Sequence, residues 1–528
     1  MLLRHLRKIR IILSLLIFAF LLLFFMNVHG RIVDPVAEFL LRLQFFPSLL
    51  RFTAIAFAAS SLGFLLILLI TLLFGRVYCS SICPLGTLQD FFIALGKRLK
   101  PKKKRRFVYT SNRKFIIRYS LLAATLLFWV FGSLFLLNLL DPYSNFGKIS
   151  VTLIQPVFTK GVNVLSGLLE RLDLFFITPF LKQSLPLDVI AVSVGILGVI
   201  MTMSIWRGRL FCNSLCPVGS ILGLVSTRSV YRLAFKDEAC TFCGKCEKVC
   251  KAECLDSKNK TVDMSRCISC FNCFASCSNN GLYYENAYSG KKQLVKVDTE
   301  DKTRIEKRAF FLTLAGGVMS LPLLKKFAKA QVEPGKAGMV PTGTSLPVTP
   351  PGSISHDHFT GKCIACYLCV GACPTNVIVP SFFDYGLEGF MQPKLDYHKS
   401  FCNFDCTRCT EVCPTGAITK LDRSTKHITQ IGIAKFLYES CVVTVDRTDC
   451  GACSEHCPTK AVKMVPYNGL WLPEMEPDLC IGCGACEYAC PTEPYKAIFV
   501  ESNSVHQEAV PLGEDHGPRD HEKDEFPF

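Results

Sequence analysis

Cysteine spacing constrains this chain more than any other feature. Six times the sequence sets four cysteines close together, in or near the pattern C-x2-C-x2-C-x3-C. The first two runs are Cys240, Cys243, Cys246, Cys250 and Cys267, Cys270, Cys273, Cys277. The other four are Cys363, Cys366, Cys369, Cys373; Cys402, Cys406, Cys409, Cys413; Cys441, Cys450, Cys453, Cys457; and Cys480, Cys483, Cys486, Cys490. Disulfide frameworks of comparable density belong to small extracellular domains, and this chain has 528 residues. Zinc favours two separated pairs of ligands. Tight four-cysteine runs suit iron–sulfur clusters, three thiolates wrapping one cluster and the fourth reaching a neighbour. Six [4Fe–4S] clusters are therefore expected.

By that rule Cys240, Cys243 and Cys246 group with Cys277, and Cys267, Cys270 and Cys273 with Cys250. Cys254 is left over, either as a free thiol or as a substitute for Cys250. Among the four later runs, analogy with multi-cluster ferredoxins suggests that the outer two pair with each other and the inner two likewise.

The second constraint is apolar. Half of the residues are hydrophobic and the mean hydropathy is +0.32, unusual for a soluble chain of this size. Four runs, Ile9–Val28, Phe52–Phe74, Tyr119–Leu140 and Val189–Trp206, are about 20 residues long, enough to cross a bilayer core of roughly 30 Å. The expected fold is an α-helical membrane domain of four to five spans plus small α+β ferredoxin-like iron–sulfur domains. Residues 331–528 carry 15 Lys/Arg against 25 Asp/Glu, so the first 330 residues hold the whole positive excess. The segment 75–114 alone has eleven Lys/Arg. Basic loops beside apolar spans mark the cytoplasmic side; no motif points to nucleic acid.

The expected organisation is a four-helix membrane domain (1–236), a cytoplasmic two-cluster ferredoxin domain (237–290), an export-signal-like or fifth membrane segment (300–330), a linker (331–355), a four-cluster ferredoxin domain (356–500) and a disordered acidic tail (501–528). Within the third part of that order, Glu306-Lys307-Arg308-Ala309-Phe310-Phe311-Leu312 looks like a twin-arginine export signal with Lys in the first Arg position. Ala328-Lys329-Ala330 reads as a cleavage site. Cluster-filled domains must cross a membrane folded, which that route permits.

An internal repeat supplies four more cysteines. Gly75-Arg76-Val77-Tyr78-Cys79-Ser80-Ser81-Ile82-Cys83-Pro84-Leu85-Gly86 matches Gly208-Arg209-Leu210-Phe211-Cys212-Asn213-Ser214-Leu215-Cys216-Pro217-Val218-Gly219. Cysteines four apart share one helix face. Cys79, Cys83, Cys212 and Cys216 are thus candidate cofactor ligands for one site, with a thiol–disulfide pair or simple packing as alternatives.

No C-x-x-C-H, P-loop or dinucleotide-binding glycine pattern is present, so haem, flavin and nicotinamide are not expected. Electrons would enter and leave one at a time, with quinol as the two-electron substrate. Quinol oxidation needs a proton acceptor near the membrane surface; His29, Asp34, Glu38, Asp141 and Asp188 are candidates, each more often a solvated charge or helix cap.

With these motifs in view, residues 1–290 resemble the NapH-type membrane quinol dehydrogenases. Residues 300–500 resemble the NapG/MauM-type periplasmic polyferredoxins, through Cys402-Asn403-Phe404-Asp405-Cys406-Thr407-Arg408-Cys409-Thr410-Glu411-Val412-Cys413-Pro414 and Cys480-Ile481-Gly482-Cys483-Gly484-Ala485-Cys486-Glu487-Tyr488-Ala489-Cys490-Pro491. The resemblance implies a multi-pass inner-membrane protein that takes electrons from menaquinol or ubiquinol. It also implies a periplasmic acceptor, a reductase or small cytochrome. The alternative is a membrane iron–sulfur maturation or regulatory protein that supports assembly of a respiratory reductase.

Overall fold

The computed structural model describes residues 2–26, 34–54, 62–101, 107–109, 115–173, 185–236, 238–288 and 346–511, with positions 175 and 179. Its first half is a helical unit. Helices α1 (Leu2–Phe25), α2 (Asp34–Arg42), α3 (Phe45–Ala54), α4 (Gly63–Phe74), α5 (Val77–Ser81), α6 (Pro84–Leu99) and α7 (Phe115–Val130) are followed by α8 (Phe135–Leu140) and α9 (Pro142–Ile149). A π-helical turn, Ser150–Ile154, leads into α10 (Gln155–Glu170); then come α11 (Leu187–Arg207), α12 (Leu210–Ser214) and α13 (Pro217–Ser226).

Among the described residues two helices, His5–Phe25 and Leu187–Arg207, are long and apolar enough to cross a membrane. This corrects the expectation of four to five spans. Gly63–Phe74 and Ile116–Val130 are apolar but shorter. The Tyr119–Leu140 run breaks where Gly132 takes φ +80°, a conformation suited to glycine, and α8 starts afresh. Part of the Phe52–Phe74 run, like the export-type segment at 309–324, lies outside the described residues.

Residues beyond Leu140 form packed helix. Asp141 caps α9, its Oδ2 accepting from the Ser144 N–H at 2.7 Å, with Pro142 in the first turn where no amide is missed. Rings of α1 and α9 interlock: Phe18–Phe146 at 5.5 Å, Phe25–Phe146 at 5.6 Å, Phe25–Tyr143 at 5.8 Å.

The first ferredoxin-type unit follows. Strand β1 (Tyr231–Phe235) pairs antiparallel with β4 (Leu282–Asn286), and the small hairpin β2 (Leu255–Asp256) with β3 (Thr261–Val262). Two short helices, α14 (Lys245–Val249) and α15 (Asn272–Ser276), pack on each other inside this frame. The second unit holds strand pairs β5 (Ile378–Pro380) with β6 (Pro393–Leu395), β7 (Thr429–Phe436) with β10 (Ile498–Glu508), and β8 (Val462–Tyr467) with β9 (Leu470–Met475). Its edges differ from the expected boundaries. Thr349 and Ser353 are fully buried, so residues 346–355 belong to the unit and not to a linker. The expected disordered tail opens as strand: Glu501 and Ser502 pair with Ile433 and Gly432.

The two units sit at opposite ends of the helical unit. Near the C-terminal end of α11, the Arg209 N–H donates to the Lys251 carbonyl of the first unit at 2.9 Å. Ser269 Oγ donates to the Phe74 carbonyl at 3.1 Å. Near the far end of α1, a Cβ on Gly371 of the second unit would stand 3.2 Å from the Phe25 carbonyl. Ser144 Oγ of α9 donates to the Ile364 carbonyl at 2.6 Å, and Asn138 Nδ2 to the Phe390 carbonyl at 3.3 Å. At 1.5 Å per residue, the 21-residue α11 is about 30 Å long.

Candidate iron–sulfur sites

Each cysteine run folds as a loop that ends in one turn of helix. The loop residues take positive φ, including Phe242, Gly244, Ser269, Phe271, Ala365, Tyr367, Gly482 and Gly484. The loop's amides can then turn inward around a bulky anionic group. Amides outside these loops already donate to sulfur: Gly281 N–H to Cys277 Sγ at 3.2 Å, Ile418 N–H to Cys413 Sγ at 3.4 Å, and Ala434 N–H to Cys480 Sγ at 3.4 Å.

In the first unit, Cys240, Cys243, Cys246 and Cys277 line one cavity with Phe235 and Leu282. Cys243 is exposed at its mouth. Cys267, Cys270 and Cys273 lie deeper, within electrostatic reach of Cys250. Cys254 stands beside them, 2% exposed, its Sγ 3.5 Å from Cys250 Sγ. It is packed between Cys250 and Cys267.

In the second unit adjacent runs face each other. Cys363, Cys366 and Cys369 come within electrostatic reach of Cys413, and Cys402 and Cys409 of Cys373. Cys441 and Cys453 come within electrostatic reach of Cys490, and Cys480, Cys483 and Cys486 of Cys457. This corrects the expected pairing of outer with outer and inner with inner runs. The reason is local packing. The helical turn Leu368–Ala372 lies on Arg408–Val412, and Ala452–Glu455 lies on Ala485–Ala489. The two pairs are joined where the Cys402 N–H donates to the Cys483 carbonyl at 2.9 Å.

The repeat cysteines lie inside the helical unit, on its side toward the first ferredoxin unit. Cys79, Cys83, Cys212 and Cys216 are all buried. Both copies share one backbone. Cys83 (φ −66°, ψ 116°) and Cys216 (φ −69°, ψ 118°) stand just before prolines that open α6 and α13. The arginines cross over. Arg76 Nη2 donates to the Cys212 carbonyl at 3.1 Å, and Arg209 Nη1 to the Cys79 carbonyl at 3.1 Å. A Cβ on Gly219 would meet Arg76 Nη2 at 2.9 Å, and one on Gly86 would meet Arg209 Nη1 at 2.6 Å. Glycine in each copy thus makes room for the other copy's arginine. Burial pushes the thiols of Cys83 and Cys216 up, and each lies within reach of Cys79 and Cys212.

Asp90 of α6 ties this region together. Its carboxylate pairs with Arg209 at 2.7 Å, Lys251 at 3.1 Å and Arg10 at 3.2 Å. Burial opposes the charge, but Arg209, Lys251 and Arg10 outweigh it and hold the carboxyl below the usual carboxylate range.

Of the proton-acceptor candidates, Asp141 is buried beside the Cys366 site. Burial pushes its carboxyl up to about 7, against the Ser144 N–H and Lys148. Glu38 is an exposed partner of Arg42, and Asp188 Oδ1 accepts from the Val189 N–H at 2.9 Å. His29 and the Asp34 side chain lie outside what is described. Sequence reasoning quoted Arg76 and Arg209 without assigning them a role and passed over Asp90. Identical arginines at the same place in both repeats were the available signal.

A model described as a 4Fe-4S binding domain matches residues 56–103 and 189–232, the two stretches that hold the repeat. A 4Fe-4S dicluster domain matches residues 362–442 and 446–493, a division that falls within the third run, between Cys441 and Cys450. The chain thus carries 4Fe-4S domains of two kinds. Its relatives include a protein of Escherichia coli named putative electron transport protein YccM, 27% identical over 42% of this chain and 54% of its own length. The methylamine utilization ferredoxin-type protein MauN of Methylorubrum extorquens is 30% identical over 37% of this chain and 55% of its own. An uncharacterised protein of Methanocaldococcus jannaschii is 25% identical over 42% of this chain and 77% of its own. The chain thus spans about half the length of the two named relatives. No solved structure matches.

Proposed function

We propose that the protein carries electrons from membrane quinol, through one series of centres, to an acceptor outside the cytoplasmic membrane, a reductase or small cytochrome. One observation carries the reading: ferredoxin-type cysteine sites dock at both ends of one helical unit that contains buried cysteines of its own. From the solvent-open Cys243 the sites follow one another. They run through Cys267–Cys273, past Arg76 to the repeat cysteines, on by Tyr78 and Asp141 to Cys363–Cys369, and then to Cys402 and Cys483. Tyr78 lies within electrostatic reach of both Cys83 and Asp141, and Cys366 within reach of Asp141. Clusters at one end alone would serve a soluble ferredoxin; clusters at both ends of an apolar unit suit transfer across it.

Asp141 is the proton acceptor this reading favours among the candidates, since it is buried next to a cluster site. The test is anaerobic reduction of the oxidised, purified full chain by a quinol analogue. Prompt bleaching of most of the visible iron–sulfur absorption is expected. Bleaching by dithionite with none by quinol would overturn the reading.

A further inference from the structure

Of the 29 cysteines only Cys243 is exposed. It lines the cavity that also holds Cys240, Cys246 and Cys277, and four thiols around one cavity suit one cluster. The first ferredoxin-type unit meets the helical unit elsewhere, through Ser269 and the Lys251 carbonyl. Among the described residues no hydrogen bond or ion pair joins residues 238–246 to the helical unit. Quinol oxidised near Asp141, and an acceptor beyond the second ferredoxin-type unit, would leave this open site at the other end of the molecule without a task.

The rim of that site is basic. Lys245 lines the cavity, and Lys258 follows Ser257, which lines it too. The Lys236 carbonyl accepts from the Cys240 N–H at 3.1 Å. Lys236, Lys245 and Lys258 are exposed, and none of the three forms an ion pair among the described residues. The nearby carboxylates are engaged with backbone: Glu247 accepts from the Ser257 N–H, and Asp256 from the Lys258 and Asn259 N–H groups at 3.0 Å and 3.1 Å. Glu238 is the exposed exception. Beside Cys243 stands Phe242, 57% exposed, with Lys260 Nζ 4.8 Å from its ring centroid. An exposed ring among unpaired cations has the make-up of a docking face, an apolar anchor inside a charged rim. Its sign selects an acidic partner.

We propose that the face around Cys243 is an electron port for a soluble one-electron carrier protein whose own centre is ringed by carboxylates. Phe242 is the anchor, and Lys236, Lys245, Lys258 and Lys260 are the charged rim. The reduced carrier loses one electron and the cluster of Cys240, Cys243, Cys246 and Cys277 gains it; no bond forms or breaks. An anionic bilayer surface also attracts lysines. A bilayer surrounds the helical unit, however, and residues 238–246 are not bound to that unit; nor does lipid need an exposed cluster ligand. The inference rests on the clusters carrying electrons, and it stands apart from quinol as their donor.

The test titrates the full chain, purified anaerobically and held in lipid nanodiscs, with a [2Fe–2S] ferredoxin of acidic surface. Wild type is compared with Lys236→Glu/Lys258→Glu/Lys260→Glu, with the same charge change on the second unit, Lys420→Glu/Arg447→Glu/Lys460→Glu, and with Phe242→Ala. Wild type is expected to bind, more weakly as salt shortens the Debye length below about 10 Å, and bound ferredoxin to shield Lys245 from acetylation. The first triple variant is expected to keep its iron, to bind about tenfold more weakly and to be bleached about tenfold more slowly by reduced ferredoxin. Phe242→Ala is expected to bind about fivefold more weakly, and the second triple variant like wild type. Equal binding by wild type and the first triple variant overturns the proposal, as does equal loss in both triple variants. Lysines shielded by anionic lipid but not by ferredoxin place the face on the bilayer and also overturn it. Should the first triple variant lose its iron, binding unmoved by Phe242→Ala or Lys245 left unshielded in wild type overturns it. If quinol bleaches nothing while reduced ferredoxin bleaches the clusters in a lysine-dependent way, the quinol reading falls and the port stands.

Discussion

The two copies of the C-x3-C-P repeat are the same backbone put to unequal use. Ile82 (φ −101°, ψ −38°) and Leu215 (φ −102°, ψ −35°) superpose in conformation. In each copy the second cysteine's N–H donates to the carbonyl of an aromatic residue at 3.0 Å, Tyr78 in one and Phe211 in the other. The difference lies in what surrounds them. Copy two is locked by charge, with Arg209 on Asp90. Copy one has no such lock, and Arg76 points its charge at sulfur. A repeat fixes geometry, and the surroundings then decide which member is structural and which is electrostatically available to a cofactor.

Removing the lock should have the largest effect. Asp90→Asn makes the two arginines alike by stripping Arg209, Lys251 and Arg10 of their shared carboxylate. Leaving buried charges unpaired costs about 3–5 kcal/mol, read as a large drop in the thermal midpoint of the detergent-solubilised chain. The pH dependence follows from the sign of the shift. A carboxyl held below its ordinary range stabilises fully above about pH 4, the unfolded value, and loses that contribution as pH falls further. The gap between wild type and variant should therefore stay level from pH 6 to 8, both values chosen as about neutral, and close only in strong acid. A gap that shrinks between those neutral values would mean that Asp90 is not the charged partner.

The glycines that open the copies sharpen the contrast. Gly75 (φ 79°, ψ −165°) and Gly208 (φ 68°, ψ −119°) both occupy backbone conformations that other residues avoid. At Gly208 a Cβ would also strike the Lys251 carbonyl at 2.4 Å, rigid backbone of the first ferredoxin unit. At Gly75 the nearest atoms are side-chain tips, Ser269 Oγ at 3.1 Å and Ser226 Oγ at 3.3 Å. Gly208→Ala is expected to cost about 1–3 kcal/mol in backbone strain plus displacement of the 238–288 unit, seen as faster proteolysis of that unit. Gly75→Ala should show the strain alone. Equal proteolysis in the two variants would show that Lys251 gives way.

Much of this was legible in the chain and some of it could not be. Spacing identified every cysteine run, because clusters demand thiolates at short fixed intervals. It did not decide partners in the second unit. Run-to-run connections there are long enough to allow either arrangement, and the choice falls to helix-on-helix contacts such as Leu368–Ala372 on Arg408–Val412. Hydropathy marked apolar stretches but not where they bend, so the break at Gly132 and the packed α9 were missed. Strand β10 has no apolar alternation beyond Val500; its place is set by pairing with β7. The crossing of Arg76 and Arg209 between copies is a property of the assembled pair and has no trace in either copy alone.

The smallest change tests what the last difference between the copies is for. Tyr78 stands where copy two has Phe211, and its hydroxyl donates to the buried Gln44 Oε1 at 3.0 Å. Tyr78→Phe makes the pair chemically equal and leaves that oxygen unpaired, at a cost of about 1–3 kcal/mol. Tyr78 also lies within reach of Cys83 on one side and Asp141 on the other. If the hydroxyl only braces the helix pair, the rate at which quinol bleaches the clusters should stay within about twofold, since electrons pass between clusters without needing a phenol proton. A tenfold slowing, about 1.4 kcal/mol in a barrier, with all iron retained would instead place the hydroxyl on the route, and copy one would then differ from copy two in transfer as well as in charge.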